Sequence, residues 1–232
     1  MLASAGAMLV GVSQSTPRAA ATPPVLVTTV EPSHTPTPTG PNTPTPTPTP
    51  TTVKTLKELR DRFGDAPEAT RGRFRIPSIG VDAALSQRSV GPDLDLQYLN
   101  PYGPADVTWY DFSVNPDYGG VPGAGRNAVF AGHVDYSDPI RWAPNVQYFG
   151  PGVFRNIDLV APGDAIEVAM GGRTVSFSVV WKRSVSEHDD WAAIYAGSVP
   201  EGDSITIITC AGTFNPATRE YDSRTVIRAA RS

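Results

Sequence analysis

The single cysteine of this 232-residue chain, Cys210, follows the apolar run Ile205-Thr206-Ile207-Ile208-Thr209. Such a run reads as a strand, so the thiol is expected where a strand ends and a loop begins, a common station for a nucleophile. Taken singly, a free cysteine is more often a core residue than a reactive one. Its company decides. His133 follows the run Asn127-Ala128-Val129-Phe130-Ala131-Gly132 and is also placed at a strand end, where an imidazole can accept a thiol proton and later return it to a leaving amine. Arg224 opens a third run, ending at Ala229, near enough after Cys210 for a hairpin-like return to set the two side by side. A guanidinium there cannot accept a proton, but its fixed positive fork suits an oxyanion or a carbonyl and lowers the pKa of a neighbouring thiol.

Three reactive groups so far apart need a scaffold of strands to meet. From Arg73 onward, short β-type runs alternate with Gly, Pro, Asn and Asp, the punctuation of an all-β domain. The runs predicted as strands are 74–76, 80–85, 107–109, 127–131, 165–170, 174–182, 204–210 and 224–229, with weaker candidates around Arg88 and Ile157. Eight strands over this length predict a barrel. In Thr174–Val180, Val175, Phe177 and Val179 alternate with Thr174, Ser176 and Ser178, which predicts a half-buried antiparallel strand. Ile205–Ile208 is nearly continuous in apolar character and predicts a central strand buried on both faces. Before the barrel, Leu56, Leu59 and Phe63 recur at helical spacing, so 53–72 is expected to hold a short amphipathic helix and a lead-in.

The N-terminal quarter has a different character. Residues 35–52 read TPTPTGPNTPTPTPTPTT, a tract with no apolar side chains to pack, and 13–52 is expected to be a disordered Thr/Pro-rich spacer. Alternating prolines favour polyproline II at ~3.1 Å per residue, so the tract spans roughly 50 Å. Residues 1–12 are mostly small and apolar but fall short of the ~20 residues that cross a bilayer; they are read as the end of a membrane anchor, the remnant of a signal segment or a disordered start, with the first preferred. A formal charge of −4 without clustered Lys and Arg excludes nucleic acid as a partner.

Four segments, NAVFAGHVDY, PGVFRNIDLVAPGDAIEV, ITIITCAGTF and DSRTVIRA, occur in this order and together resemble the ordered signatures of sortases, the cysteine transpeptidases of the Gram-positive cell envelope. The resemblance covers 73–231 and begins with FRIPSIGVDAAL, which is similar to the first strand pair of that domain. It implies a closed eight-stranded barrel over 73–232 in which Cys210, His133 and Arg224 converge. Cys210 would attack the Thr carbonyl of a Leu-Pro-x-Thr-Gly-like sorting signal and form a thioester that an amine resolves. Arg224 would stabilise the oxyanion or orient substrate, His133 would act as acid and base, and Thr209 would help to place the substrate. The implied partners are secreted proteins bearing a C-terminal sorting signal and a peptidoglycan-precursor or other envelope amine, at the extracytoplasmic face of the membrane; no cofactor and no metal are implied.

Within the family, the Ala-Gly-His-Val-Asp turn and Cys-x-Gly-x-Phe look most similar to the actinobacterial classes E and F, with F preferred. The absence of a long apolar segment after the last strand makes a pilus-polymerising role the less favoured one. A cysteine hydrolase that passes the acyl group to water, and an inactive envelope-binding barrel, are the alternatives. Asp135, two residues after His133, could orient the imidazole, although a turn aspartate bonding nearby amides is the simpler account. Glu187, His188, Asp189 and Asp190 read as a solvated loop near the substrate-recognition region and not as a metal site. His34 and His188 lack a strand-end context and are not expected to be catalytic.

Overall fold

The computed structural model describes residues 49–92, 99–186 and 188–232. The expected spacer and apolar start fall almost wholly outside these residues. Twelve strands and two short helices follow one another: β1 (Thr51–Val53), α1 (Leu56–Phe63), β2 (Gly72–Ile76), β3 (Val81–Ser89), β4 (Val107–Asp111), β5 (Asn127–Ala131), β6 (Asp135–Tyr136), β7 (Val146–Tyr148), β8 (Gly150–Pro151), β9 (Ala165–Met170), β10 (Arg173–Val185), α2 (Trp191–Tyr195), β11 (Ser204–Asn215) and β12 (Glu220–Arg231). Eight of them close into a barrel in the order β10-β12-β11-β5-β4-β3-β2-β9. These are the eight strands the sequence predicts.

Side-chain alternation sorts the barrel wall into two faces. Phe74, Phe130, Phe154, Phe177, Ile205, Ile207 and Ile227 fill the interior. The intervening residues Val129, Ala131, Ile208 and Val226 face outward into a second cluster with Trp191, Ile194 and Tyr195 of α2. Strand β11 is therefore buried on both sides, and it lies between parallel β5 and antiparallel β12. Asn127 fixes α2 to this wall: its Nδ2 donates to the Ala196 carbonyl at 3.0 Å, and its Oδ1 accepts from Thr206 Oγ1 at 2.8 Å. Arg228, buried in the same wall, donates to the Ile194 carbonyl and pairs with Glu201.

The predicted helix forms over Leu56–Phe63. Thr55 caps it, its Oγ1 accepting from Glu58 N at 3.1 Å, a contact worth about 1 kcal/mol. Leu59 is fully buried, and its burial contributes roughly 1.5–3 kcal/mol to docking. Ahead of it, β1 pairs in parallel with β7 through Thr51↔Val146 and Val53↔Tyr148. The first strand among the described residues thus starts at Thr51, just inside the stretch read as spacer, where Val53 has a buried seat beside Tyr148.

Three local expectations are corrected. Arg88 belongs to β3 and makes no separate strand, and Ile157–Leu159 is a 3₁₀ turn. Nor does β11 stop at Cys210. It runs on to Asn215, paired with a β12 that begins at Glu220, so neither Cys210 nor Arg224 is terminal in its strand. The Gly, Asn and Pro of this stretch signal a loop, but Gly212, at φ +80°, is taken up in a register shift between Ala211 and Phe214 while pairing continues.

Candidate active site

Strand register sets the first pair. Cys210 lies directly opposite Arg224 across β11 and β12. Directly opposed residues share a face with Cβ atoms about 5 Å apart. That face is the outer one, since Cys210 follows Ile208 by two residues and Arg224 precedes Val226 by two. Strand β5 pairs with β11 only as far as Ile208↔Ala131, so Cys210 is the second residue beyond the point where the barrel wall opens.

The chain leaving β5 carries the imidazole. Gly132 N donates to the Ile208 carbonyl at 3.4 Å, and Thr209 Oγ1 donates to the Gly132 carbonyl at 2.7 Å. The residue before the thiol is thereby tied to the residue before the histidine. Cys210, His133, Arg224 and Thr209 all line one cavity of about 260 Å³, closed on its other sides by Leu99–Pro101 and by Arg219–Tyr221. All four residues singled out from sequence meet there. The Thr209 hydroxyl, however, is spent on Gly132, so its contact with a ligand would be through its methyl and backbone.

Two glycines allow this arrangement. A Cβ on Gly132 would come within 2.6 Å of the Phe154 ring, and a Cβ on Gly152 would lie 2.2 Å from the His133 carbonyl. The same carbonyl accepts from Phe154 N at 2.9 Å. The Ala-Gly-His and Pro-Gly-Val-Phe segments therefore interlock, the His133 backbone excluding a side chain at Gly152 and the Phe154 and Val153 side chains excluding one at Gly132.

Burial disfavours the charged form of both reactive groups. Burial holds the His133 pKa down at about 4, opposed by the nearby Pro101 backbone and by the charges of Asp135 and Asp138. Burial also raises the Cys210 pKa; Arg224 pulls it down and Asp135 pushes it up. His133 Nε2 is buried with no hydrogen-bond partner among the described residues. Arg224 is oriented by its own strand, Nη1 donating to the Tyr221 and Ser223 carbonyls at 2.8 and 2.9 Å.

Asp135 does not orient the imidazole through a hydrogen bond; it accepts one from the Tyr221 hydroxyl. Tyr221, whose pKa burial and Asp135 together push to about 12, is a wall residue the sequence reading did not single out. Only its place in the β12 extension, taken there for a loop, could have marked it. Arg219 pairs with Asp138 at 2.9 Å, a second link between the β11–β12 extension and the chain after His133. His188 lies in an exposed turn outside this cavity, where Asp189 Oδ2 accepts from Ser186 N and Oγ.

A thiol, an imidazole and a guanidinium thus line one cavity of a closed eight-stranded barrel. The family model described as Sortase domain matches residues 74–232, and the chain belongs to the sortase family of transpeptidases. Similar solved structures include sortase C from Clostridium perfringens SM101, at 16% identity over 70% of this chain and 69% of that one, with a TM-score of 0.46. A lid mutant of sortase A from Corynebacterium diphtheriae is 20% identical over 76% of each chain, with a TM-score of 0.47. Sortase A from Listeria monocytogenes is 19% identical over 71% of this chain and 88% of that one, also at 0.47. No curated protein sequence matches the chain.

Proposed function

We propose that the chain cleaves a Leu-Pro-x-Thr-Gly-like sorting signal between Thr and Gly and transfers the Thr acyl group to an envelope amine. The observation that carries this reading is the in-register pair Cys210 and Arg224, which lines one cavity together with His133. Because burial disfavours both charged forms, proton transfer accompanies attack. Nε2 takes the proton from Sγ as sulfur bonds to the Thr carbonyl carbon, and the Arg224 fork donates to the oxygen that becomes negative. Collapse expels the Gly amine, which takes the proton from the imidazolium and leaves a thioester on Cys210. An incoming amine, deprotonated by Nε2 as it attacks, forms the new amide and restores the thiol.

Thr209 acts in this scheme by holding Gly132, and hence His133, against the thiol. The class F assignment rests on Cys210-x-Gly212-x-Phe214, in which Gly212 takes the positive φ of the bulge and Phe214 stacks with Tyr221 at 5.2 Å. We place the enzyme outside the cytoplasmic membrane, with 1–12 as the end of a tether and 13–52 as the spacer that carries the 73–232 barrel to its substrate. No helix among the described residues is long and apolar enough to cross a membrane.

The test is a coupled assay on the full chain. A quenched Leu-Pro-x-Thr-Gly peptide incubated with a glycine-type amine should give the ligated product. Cleavage without any amine incorporation would make the chain a hydrolase, and no cleavage at all would remove the reading.

A further inference from the structure

Beyond Cys210 and Arg224 the β11–β12 pair leaves the barrel wall. Strand β5 ends its pairing with β11 at Ile208, and β10 ends its pairing with β12 at Val185↔Arg224, so the hairpin of residues 211–223 has no third strand beside it among the described residues. Its two strands hold each other. Phe214 lies opposite Tyr221 with ring centroids 5.2 Å apart, and Thr213 N donates to Asp222 Oδ1 at 3.0 Å. A two-stranded hairpin is only marginally stable by itself and is free to lean. Where it leans matters to the site, because Arg224 Nη1 donates to the Tyr221 carbonyl at 2.8 Å.

Two side-chain bonds tie the hairpin to the chain that follows His133. Arg219 pairs with Asp138 at 2.9 Å, but both side chains are at least half exposed, and such a pair contributes only ~0–1 kcal/mol. The Tyr221 hydroxyl donates to Asp135 Oδ2, a bond strengthened by the carboxylate charge. Asp135 is a firm anchor. It pairs with Pro151 between β6 and β8, and the preceding Val134 and His133 carbonyls accept from Gly152 N and Phe154 N, each at 2.9 Å. One tyrosine thus has its hydroxyl on the histidine segment and its carbonyl on the guanidinium.

We propose that Tyr221 is a positioning residue for the acyl-transfer reaction: bonded through its hydroxyl to Asp135, it holds the hairpin so that its carbonyl seats the Arg224 guanidinium beside Cys210 and in a fixed relation to the His133 segment. The inference rests on the reading of Arg224 as the oxyanion donor. The Ser223 carbonyl, which also accepts from Nη1 at 2.9 Å, belongs to the residue next to Arg224 and moves with it. The Tyr221 carbonyl is the acceptor whose place depends on the tie. A donor aimed at a developing oxyanion works when it is held within about 0.5 Å of the productive geometry.

The experiment places Tyr221→Phe, which keeps the ring on Phe214 and removes only the hydroxyl, in the full chain with Arg224 intact and with Arg224→Ala. The pH profile of Cys210 alkylation by iodoacetamide reads the guanidinium without any substrate, so its failure is separable from failure of the reading it rests on. The charged groups that act on the thiol are Arg224, which lowers its pKa, and Asp135, which raises it. Tyr221→Phe should raise the alkylation midpoint when Arg224 is present and leave it in place in Arg224→Ala. An unmoved midpoint with Arg224 present would overturn the proposal, and so would an equal rise in both backgrounds, which would come from Asp135 alone. On the quenched peptide, Tyr221→Phe should lower kcat roughly tenfold at little-changed KM, and far less when Arg224 is already Ala. Asp135→Asn keeps an oxygen for the hydroxyl and should lose less kcat than Asp135→Ala. Equal losses in the two Asp135 variants, or a raised KM with wild-type kcat in Tyr221→Phe, would also overturn it.

Discussion

Cys210 and Arg224 stand opposite each other in register on the outer face of the β11–β12 pair, two residues beyond the last β5–β11 partner. The pairing keeps the guanidinium beside the sulfur, and the two backbone carbonyls that receive Nη1 hold its plane. Replacing Arg224 by Ala should lower kcat by roughly 10²–10³, the usual loss of an oxyanion donor. Arg224→Lys restores the charge without the fork and should stay impaired. Steady-state kinetics on the quenched peptide check both, and wild-type kcat in either variant would exclude Arg224 from the chemistry.

Thiol reactivity follows from the same neighbours. Since burial raises the Cys210 pKa, the rate of alkylation by iodoacetamide should keep rising with pH beyond the range of an ordinary cysteine. Asp135 raises that pKa, so Asp135→Asn should move the midpoint down and speed alkylation at pH 7.5. Arg224 lowers it, so Arg224→Ala should move the midpoint up. A wild-type midpoint below neutrality would mean that a thiolate–imidazolium pair is the resting state.

His133 also links stability to pH. Its folded pKa of about 4 lies below the 6.5 of the unfolded chain, so between these values the unfolded state binds more protons. The stabilising contribution is fully present above pH 6.5 and is lost as pH falls toward 4, by up to about 3 kcal/mol. Urea unfolding at pH 7.5 and 4.5 should show this loss in wild type and a smaller one in His133→Gln. Equal pH dependence in the two proteins would place the imidazole in solvent.

The interlock between the two glycine segments predicts a sharp local effect. Gly152→Ala sets a methyl 2.2 Å from the His133 carbonyl, so that backbone must move and kcat should fall at least tenfold. Thr209→Val is gentler. It removes the bond to Gly132 at about 1 kcal/mol of stability and should lower kcat more than it changes KM. A purely substrate-binding Thr209 would instead raise KM.

Much of this was legible in the chain because the relevant signals are local. The runs ending at Ala131 and Thr209 announce strands, and their terminal glycine and cysteine mark where the wall opens. The alternation of Val175, Phe177 and Val179 likewise appears as buried and half-buried residues facing exposed or half-buried Thr174, Ser176 and Ser178. What stayed hidden depends on long-range register. The β11–β12 extension was masked by loop-type residues whose pairing is decided by the strand opposite, and Tyr221 entered the site with it. Ile157 shows the converse error: one apolar residue seated beside Phe154 needs only a 3₁₀ turn to reach the core.

The central claim is that one sulfur carries the acyl group. The full chain should be mixed with a Leu-Pro-x-Thr-Gly peptide, quenched in acid and examined by intact and peptide-resolved mass spectrometry. The account predicts an added mass equal to the fragment ending in Thr, attached at Cys210 and removed by hydroxylamine, with no adduct in Cys210→Ala. An adduct on any other residue, or peptide cleavage by Cys210→Ala at the wild-type rate, would contradict it.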